Sequence, residues 1–461
     1  MRSNNGCHEF IIRPEHPVRA KMQFGTTMNL AYPIIIGQLG HMMMSVVDNV
    51  MVGKLGPVPL AGASLGNAIF MQVMVIGLGI SFAITPLVAM ADGVGNHDEC
   101  GVVFRQGLLV NTLSGIILMV IVLSTTGLII HLRQPDEVVI EAIPYLRMLG
   151  LSMLPFMIFQ SYRQFTEGIS IIRPAMIITI GANIFNIFFN WIFIFGKMGF
   201  PAMGLKGAGI STFGTRVVMA LVLAWYVMKS DRFTKYDPTL RFRRIDFEKI
   251  KRILRIGIPS GFTYFFEVSA FSGAAFMIGW IGTNELAAHQ IAINLASASF
   301  MFAVGVSAAG VIRVGNAVGR KDIPGTRSAG FSAVILAASI MALNGLIFVV
   351  FRRELSGFYI ENQDVISIAS SLLIIAAIFQ ISDGIQAAGV GILRGMADTK
   401  IPTIITFIAY WIIGLPAGYI LGFPLGLGVQ GVWIGLLLGL TASAFLLTIR
   451  FNIKSKKLSD I

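Results

Sequence analysis

Charge is what this sequence has least of. Only 13% of its 461 residues are Asp, Glu, Lys or Arg, against about 25% in an ordinary soluble domain. Together with 55% hydrophobic residues and a mean hydropathy of +0.78, that scarcity excludes a water-soluble globule. Cysteine is equally rare. Cys7 and Cys100 stand far apart with no metal-ligand spacing, so neither a disulfide framework nor a cysteine metal site is implied. The sequence has no G-x-x-x-x-G-K-[ST] phosphate loop, hence no ATPase domain of that kind. It also has no H-E-x-x-H, which removes a common metalloprotease signal. A membrane-embedded enzyme is therefore disfavoured, and no cofactor is expected. The first 25 residues are polar and hold no apolar core ending at a small-residue cleavage site, so no removable signal peptide is expected.

What the chain has instead is a succession of apolar runs of about 20 residues or more, each enough to cross a hydrocarbon layer of about 30 Å as a helix. Twelve spans are expected, at 26–49, 60–90, 105–130, 140–163, 174–196, 205–228, 253–280, 286–313, 328–351, 365–393, 402–422 and 428–450. The fold class is all-α, a polytopic membrane protein. The formal net charge of +12 is concentrated in three places. Arg2, Arg13, Arg19 and Lys21 precede the first span; Arg241, Arg243, Arg244, Lys249, Lys251 and Arg252 stud the central link; Lys454, Lys456 and Lys457 close the chain. This is the positive-inside pattern with anionic-lipid contact, so no nucleic-acid partner is expected and both termini are expected in the cytoplasm.

The stretch from residue 33 to 94 recurs. A shift of 226 residues lays Pro33 on Pro259, Gly56 on Gly282, Leu60 on Leu286, Ala61 on Ala287, Gly79 on Gly305, Ser81 on Ser307 and Gly93 on Gly319. A fainter match sets Gly204, Gly207 and Ile210 against Gly428, Gly431 and Ile434, so the whole half repeats. The expected organisation is a cytoplasmic segment 1–25, an N-lobe 26–228, a cytoplasmic linker 229–252, a C-lobe 253–450 and a cytoplasmic tail 451–461. Each repeat has an even number of crossings, so two six-helix bundles related by a pseudo-twofold along the membrane normal are expected, with substrate between them and transport by rocking. Prolines inside spans, Pro33, Pro86, Pro259 and Pro416, mark bends. Pro33 and Pro259, symmetric in the repeat, are the expected hinges.

Three lone carboxylates lie inside apolar spans, Asp48, Glu267 and Asp383. At about 2.5–3.5 kcal/mol each on the insertion scale, they need a reason. Each is a proton carrier, a monovalent-cation ligand, or the partner of a buried arginine, for which Arg147 and Arg216 are candidates. Asn186 and Asn190 are four residues apart and so share a helix face; with Thr212 they offer oxygens to a hard cation or bridge helices. His41 falls opposite Glu267 in the repeat and either titrates or merely hydrogen-bonds. His289, Gln290 and Asn294 follow one-turn spacings early in the eighth span and either line a cavity or bond between helices. The 23 Met and 34 Phe suit an adaptable cavity for organic cations, though most are expected against lipid or between helices.

Several local stretches carry a likeness to a known family: P-x-x-x-x-Q-L at Pro33–Leu39, VDNVMVG at 47–53, RPA at 173–175, AAHQIAIN at 287–294, and LRG at 393–395 followed by D-T-K-I-P. In this order, on twelve spans with a repeat, the chain resembles the multidrug and toxic compound extrusion family, and within it the NorM-like branch. The resemblance implies a monomeric two-lobed antiporter of the bacterial inner membrane that exports cationic or amphipathic drugs in exchange for Na+ or H+. By position Asp48 is similar to the family's N-lobe carboxylate, with Asn186, Asn190 and Thr212 as polar partners. Glu267 and Asp383 are similar to the C-lobe cation-binding pair, and Gln38, His41, Phe379, His289, Gln290 and Asn294 are candidate cavity residues. No metal beyond Na+ at the coupling residues is implied. One departure stands out: where that branch often has Tyr a turn before the tenth-span Asp, this chain has Phe379. A flippase for a lipid-linked sugar shares the two-bundle plan and would need a strongly cationic central cavity.

Overall fold

A computed structural model describes residues 24–132, 134–238 and 245–457. Cys7, Arg2, Arg13, Arg19, Lys21, Arg241, Arg243 and Arg244 lie outside these. Among the described residues, twelve helices are long and apolar enough to cross a membrane: α1 (Phe24–Gly53), α2 (Pro57–Gly93), α3 (His97–Thr125), α4 (Asp136–Gly168), α5 (Arg173–Phe195), α6 (Gly204–Lys229), α7 (Phe247–Ile281), α8 (Thr283–Gly319), α9 (Ile323–Val350), α10 (Gln363–Gly395), α11 (Lys400–Gly422) and α12 (Gly428–Lys456). Each coincides with one expected span, and most run further. The ends are fixed by local chemistry that hydropathy does not see. Side chains of Asn96, Asp246 and Asp322 accept from the backbone N–H three residues on, at 3.1, 3.1 and 2.8 Å, which satisfies orphan donors of the first turn.

The four prolines act differently from one another. Pro86 cannot donate to the carbonyl of Phe82, and α2 breaks there, ending one segment at Ser81 and resuming at Ile84. Ahead of Pro416, α11 widens into a π-helical turn over Ile408–Gly414. α1 and α7 continue unbroken through Pro33 and Pro259. The Arg255 carbonyl that Pro259 leaves without its helix donor is 3.5 Å from the Thr399 hydroxyl, so a side chain from the start of α11 takes over the lost bond.

Helices α1–α6 pack on one another, as do α7–α12; between the halves α1 lies on α8, α2 on α7, and α2 on α8. The repeat's glycines sit where the two backbones meet. A Cβ on Gly79 would be 2.2 Å from the backbone of Gly261, and its repeat mate Gly305 abuts Ile35, the repeat mate of Gly261, at 3.0 Å from the backbone nitrogen. Gly93 meets the Asn316 carbonyl and Gly319 meets that of Met90, at 2.4 and 2.1 Å for a built Cβ. These contacts are exchanged by the twofold, and all lie toward the face that carries the link between the halves.

That link is docked. A 3-10 turn at Asp231–Tyr236 buries Phe233 and Tyr236, and the Tyr236 hydroxyl donates to Asp92 Oδ1 at 2.8 Å. Burial first, and then the Asp92 carboxylate beside it, push the Tyr236 phenol up, so it remains a donor at neutral pH. Arg105 donates to the Asp237 carbonyl at 2.7 Å, and Lys249 Nζ meets both Glu99 carboxylate oxygens at 2.5 and 2.7 Å. Cys100 is buried as a free thiol.

Candidate functional site

Asp48 of α1 is 7% exposed and faces α5 and α6. The Asn190 amide donates to Asp48 Oδ1 at 2.5 Å and to Asn186 Oδ1 at 3.2 Å. The four-residue spacing of the two asparagines thus places them in contact on one face, as the helical period requires. The Thr212 hydroxyl lies 3.1 Å from Asp48 Oδ2 and 3.0 Å from the Ala208 carbonyl. One hydroxyl proton can serve only one of those acceptors. With Asp48 ionised, Thr212 donates to it; with Asp48 protonated, Asp48 donates to Thr212 and Thr212 to Ala208. Asn190 Oδ1 is buried with no partner, a free acceptor beside the carboxylate.

No arginine neutralises the site. Among the described residues no Lys or Arg lies within 4.0 Å of Asp48, Glu267 or Asp383. Arg216 instead donates to the Ser152 hydroxyl at 2.7 Å and stacks between Phe70 and Phe156, 4.9 Å from each ring centroid. Arg147 is exposed. The arginine-partner reading of the three carboxylates is therefore set aside.

In the other half Glu267 of α7 and Asp383 of α10, 7% and 4% exposed, line one cavity of about 330 Å3 together with Phe271, His289, Gln290 and Phe379. Phe379 packs against Phe271 at 6.0 Å and Trp433 at 5.8 Å between centroids. His289 accepts from the Trp433 indole N–H through Nδ1 at 3.2 Å, which fixes Nε2 as the protonated nitrogen when the ring is neutral. Asn294 is exposed, accepts from Gln290 at 3.4 Å and is not among the residues lining this cavity.

A second cavity lies between the halves, and Glu267 borders both. Gln38, Thr85, Gln164, Thr263 and Gln386 supply its uncharged polar wall. His41 does not line it; its ring packs edge-on against Phe156 and Phe159, with centroids at 6.0 and 6.4 Å, and its Nε2 has no partner. Three charged residues appear that hydropathy did not single out. Arg163 donates to Glu167 at 2.7 Å one turn along α4, both buried. Arg394 of α10 stacks over Phe82 of α2 at 4.8 Å and Tyr264 of α7 at 5.5 Å, donating to the Tyr264 hydroxyl at 3.1 Å. Glu167 and Arg394 lie just past the ends expected for the fourth and tenth spans, at 163 and 393. A continuation of the apolar period by one turn was the signal that would have included them. Because Arg163 is matched by Glu167, the central cavity is not strongly cationic, and the lipid-linked-sugar flippase reading loses the feature it needs.

The MatE family signature matches residues 33–192 and 259–420, once in each half and starting at the two repeat prolines. The probable multidrug resistance protein NorM of Mesorhizobium japonicum is 37% identical over 440 residues, 94% of each chain. The multidrug resistance protein MdtK of Photorhabdus laumondii is 34% identical over 437 residues, 94% of this chain and 96% of that one. Among solved structures, a MATE in complex with MaD3S superposes with a TM-score of 0.88 over 95% of this chain and 97% of that one at 22% identity, and the eukaryotic MATE transporter AtDTX14 with 0.85 over 95% and 98% at 21%. A twofold-repeated signature, relatives above 30% identity along nearly the whole length, and the same twelve-helix fold converge on one assignment: this multi-pass membrane protein belongs to the MatE family.

Proposed function

We propose that this chain is a cation-coupled exporter of cationic or amphipathic drugs, working as a monomer in the bacterial inner membrane with both termini and the central link in the cytoplasm. The relatives' names as multidrug resistance proteins support the substrate class. The basic residues Lys249, Lys251, Arg252, Lys454 and Lys456 gathered toward one face support the orientation. The observation that carries the coupling is Asp48, a buried carboxylate whose neighbours are amides and a hydroxyl rather than an arginine.

Such a carboxylate accepts either a proton or a small hard cation, and each choice changes the bonds available to Thr212 and Asn190. Occupancy of Asp48 in one half, and of Glu267 with Asp383 in the other, biases which face the halves close on, so drug leaves as the ion enters. The driving force is about 2.3 kcal/mol per charge for 100 mV of membrane potential, and about 1.4 kcal/mol per pH unit for a proton. The test is ethidium or norfloxacin efflux from a pump-deficient host, with sodium and pH gradients imposed separately. Asp48→Asn should abolish efflux with the protein still in the membrane; undiminished efflux removes Asp48 from the mechanism.

A further inference from the structure

At the face that carries the link, the seam between the halves opens into a cleft of about 660 Å3, within the range of about 300–1,000 Å3 common for ligand sites. Both halves build it. Ala91 and Val94 at the end of α2 and Val103 of α3 come from the first half, and Ile253 and Ile256 of α7 from the second. Met90 and Gly319 also line it, and these two form one of the twofold-related contacts at which the backbones meet. The floor of the cleft is therefore apolar, and it is the closed seam itself.

The rim is basic, and its charges do not cancel. Lys249 lies 2.5 Å from Glu99 Oε1 and 3.9 Å from Asp246 Oδ2, which matches those three among themselves. Lys251, Arg252 and Arg255 also line the cleft, against Glu248 alone. Among the described residues none of the three has a carboxylate within 4.0 Å. Spacings of three and four set Arg255 beside both of the others on one exposed flank of α7, while Ile253 and Ile256 are buried and hold another flank in the fold. Just ahead, Ile245 and Phe247 are exposed. Bare apolar side chains beside exposed cations suit the level at which hydrocarbon meets headgroups.

We propose that this cleft binds an anionic glycerophospholipid, with its phosphate on Lys251, Arg252 and Arg255 and the upper part of its acyl chains on the apolar floor. The surplus of cations favours an anionic headgroup over a zwitterionic one. The long stems of the basic side chains lie along apolar surface while their charged ends reach the phosphate. A free phosphate would satisfy the rim and leave the floor bare. Because the cleft is walled by both halves across the Gly319–Met90 contact, parting the seam takes its walls apart. A bound lipid therefore favours the arrangement closed at this face over the one that is open there.

The test titrates delipidated full-length protein in detergent with phosphatidylglycerol, counting bound lipid by native mass spectrometry and following the melting temperature. Phosphatidylcholine and glycerol 3-phosphate are the comparison ligands. The expected result is one saturable equivalent of phosphatidylglycerol with a rise in melting temperature, and neither response from the other two. Arg252→Gln with Arg255→Gln should raise the half-saturating phosphatidylglycerol concentration about tenfold. So should Val94→Trp, which crowds the cleft from an exposed position and keeps every charge. Lys229→Gln with Arg232→Gln removes as much charge from the link, outside the cleft, and should leave binding unchanged. An equal loss in that control, or undiminished binding in Val94→Trp, overturns the site in favour of diffuse attraction to a basic surface. Equal saturation by phosphatidylcholine overturns the assignment of the headgroup, and stabilisation by glycerol 3-phosphate alone overturns the lipid in favour of a free phosphate.

Discussion

The two halves share a backbone plan but hold charge in different ways. In the first half each buried charge has a close, directional partner: Asp48 has Asn190 and Thr212, Arg163 has Glu167, and Arg216 has Ser152. In the second half Asp398 is paired with Arg450 and Lys454 near the end of the fold, but Glu267 and Asp383 share a cavity walled by Phe271 and Phe379, and Arg394 is held mainly by two aromatic faces. A duplicated fold therefore does not duplicate its chemistry. Position 41 in the first half is His, packed edge-on against Phe156 and Phe159, and its counterpart in the second is Glu267, which lines a cavity.

The largest effect is expected where this contrast is sharpest. Asp48→Asn should eliminate drug efflux, while Glu267→Gln alone should leave a measurable fraction, because Asp383 remains in the same cavity. Efflux assays at matched membrane abundance would invert the comparison if Glu267→Gln were the more severe. Next comes the ion pair. Glu167→Leu strands Arg163 in a buried position and should cost about 3–5 kcal/mol, seen as a large fall in the melting temperature of purified protein, with the double variant Arg163→Leu, Glu167→Leu recovering most of it. Arg394→Gln removes only stacking and one hydrogen bond and should cost less, about 1–2 kcal/mol; a loss equal to that of Glu167→Leu would erase the distinction between the halves. Thr212→Val should cost about 0.5–1.5 kcal/mol in the same melts.

The smallest effect concerns the docked link. The Tyr236 phenol is held above its ordinary range, so the folded chain keeps a proton that the unfolded chain releases as the solution becomes strongly alkaline. The stability it contributes is present below the ordinary phenol range, near pH 10, and is lost as pH rises beyond it. Tyr236→Phe should lower the melting temperature slightly at neutral pH, where the phenol donates to Asp92, and flatten the alkaline limb of the profile.

How much of this was readable beforehand depends on what kind of signal each residue gives. Asp48, Glu267 and Asp383 stood out because a carboxylate in an apolar run is costly wherever the run folds. The contact of Asn186 with Asn190 followed from the helical period alone. Arg163, Glu167 and Arg394 escaped notice because charge at the end of an apolar run looks the same whether it meets water or a cavity. The helices run on through Pro33 and Pro259, whereas α2 breaks at Pro86 and α11 widens ahead of Pro416. What a proline does depends on whether another group takes up the carbonyl it leaves behind, as Thr399 does for Arg255.

Hydropathy and the 226-residue repeat determined twelve spans in two halves, because the cost of placing polar backbone in hydrocarbon is paid locally, segment by segment. Which glycines join the halves and which hydroxyl faces a carboxylate were decided only when the helices packed, because those energies belong to pairs of groups far apart in the chain, such as Gly79 with Gly261 and Asp48 with Thr212.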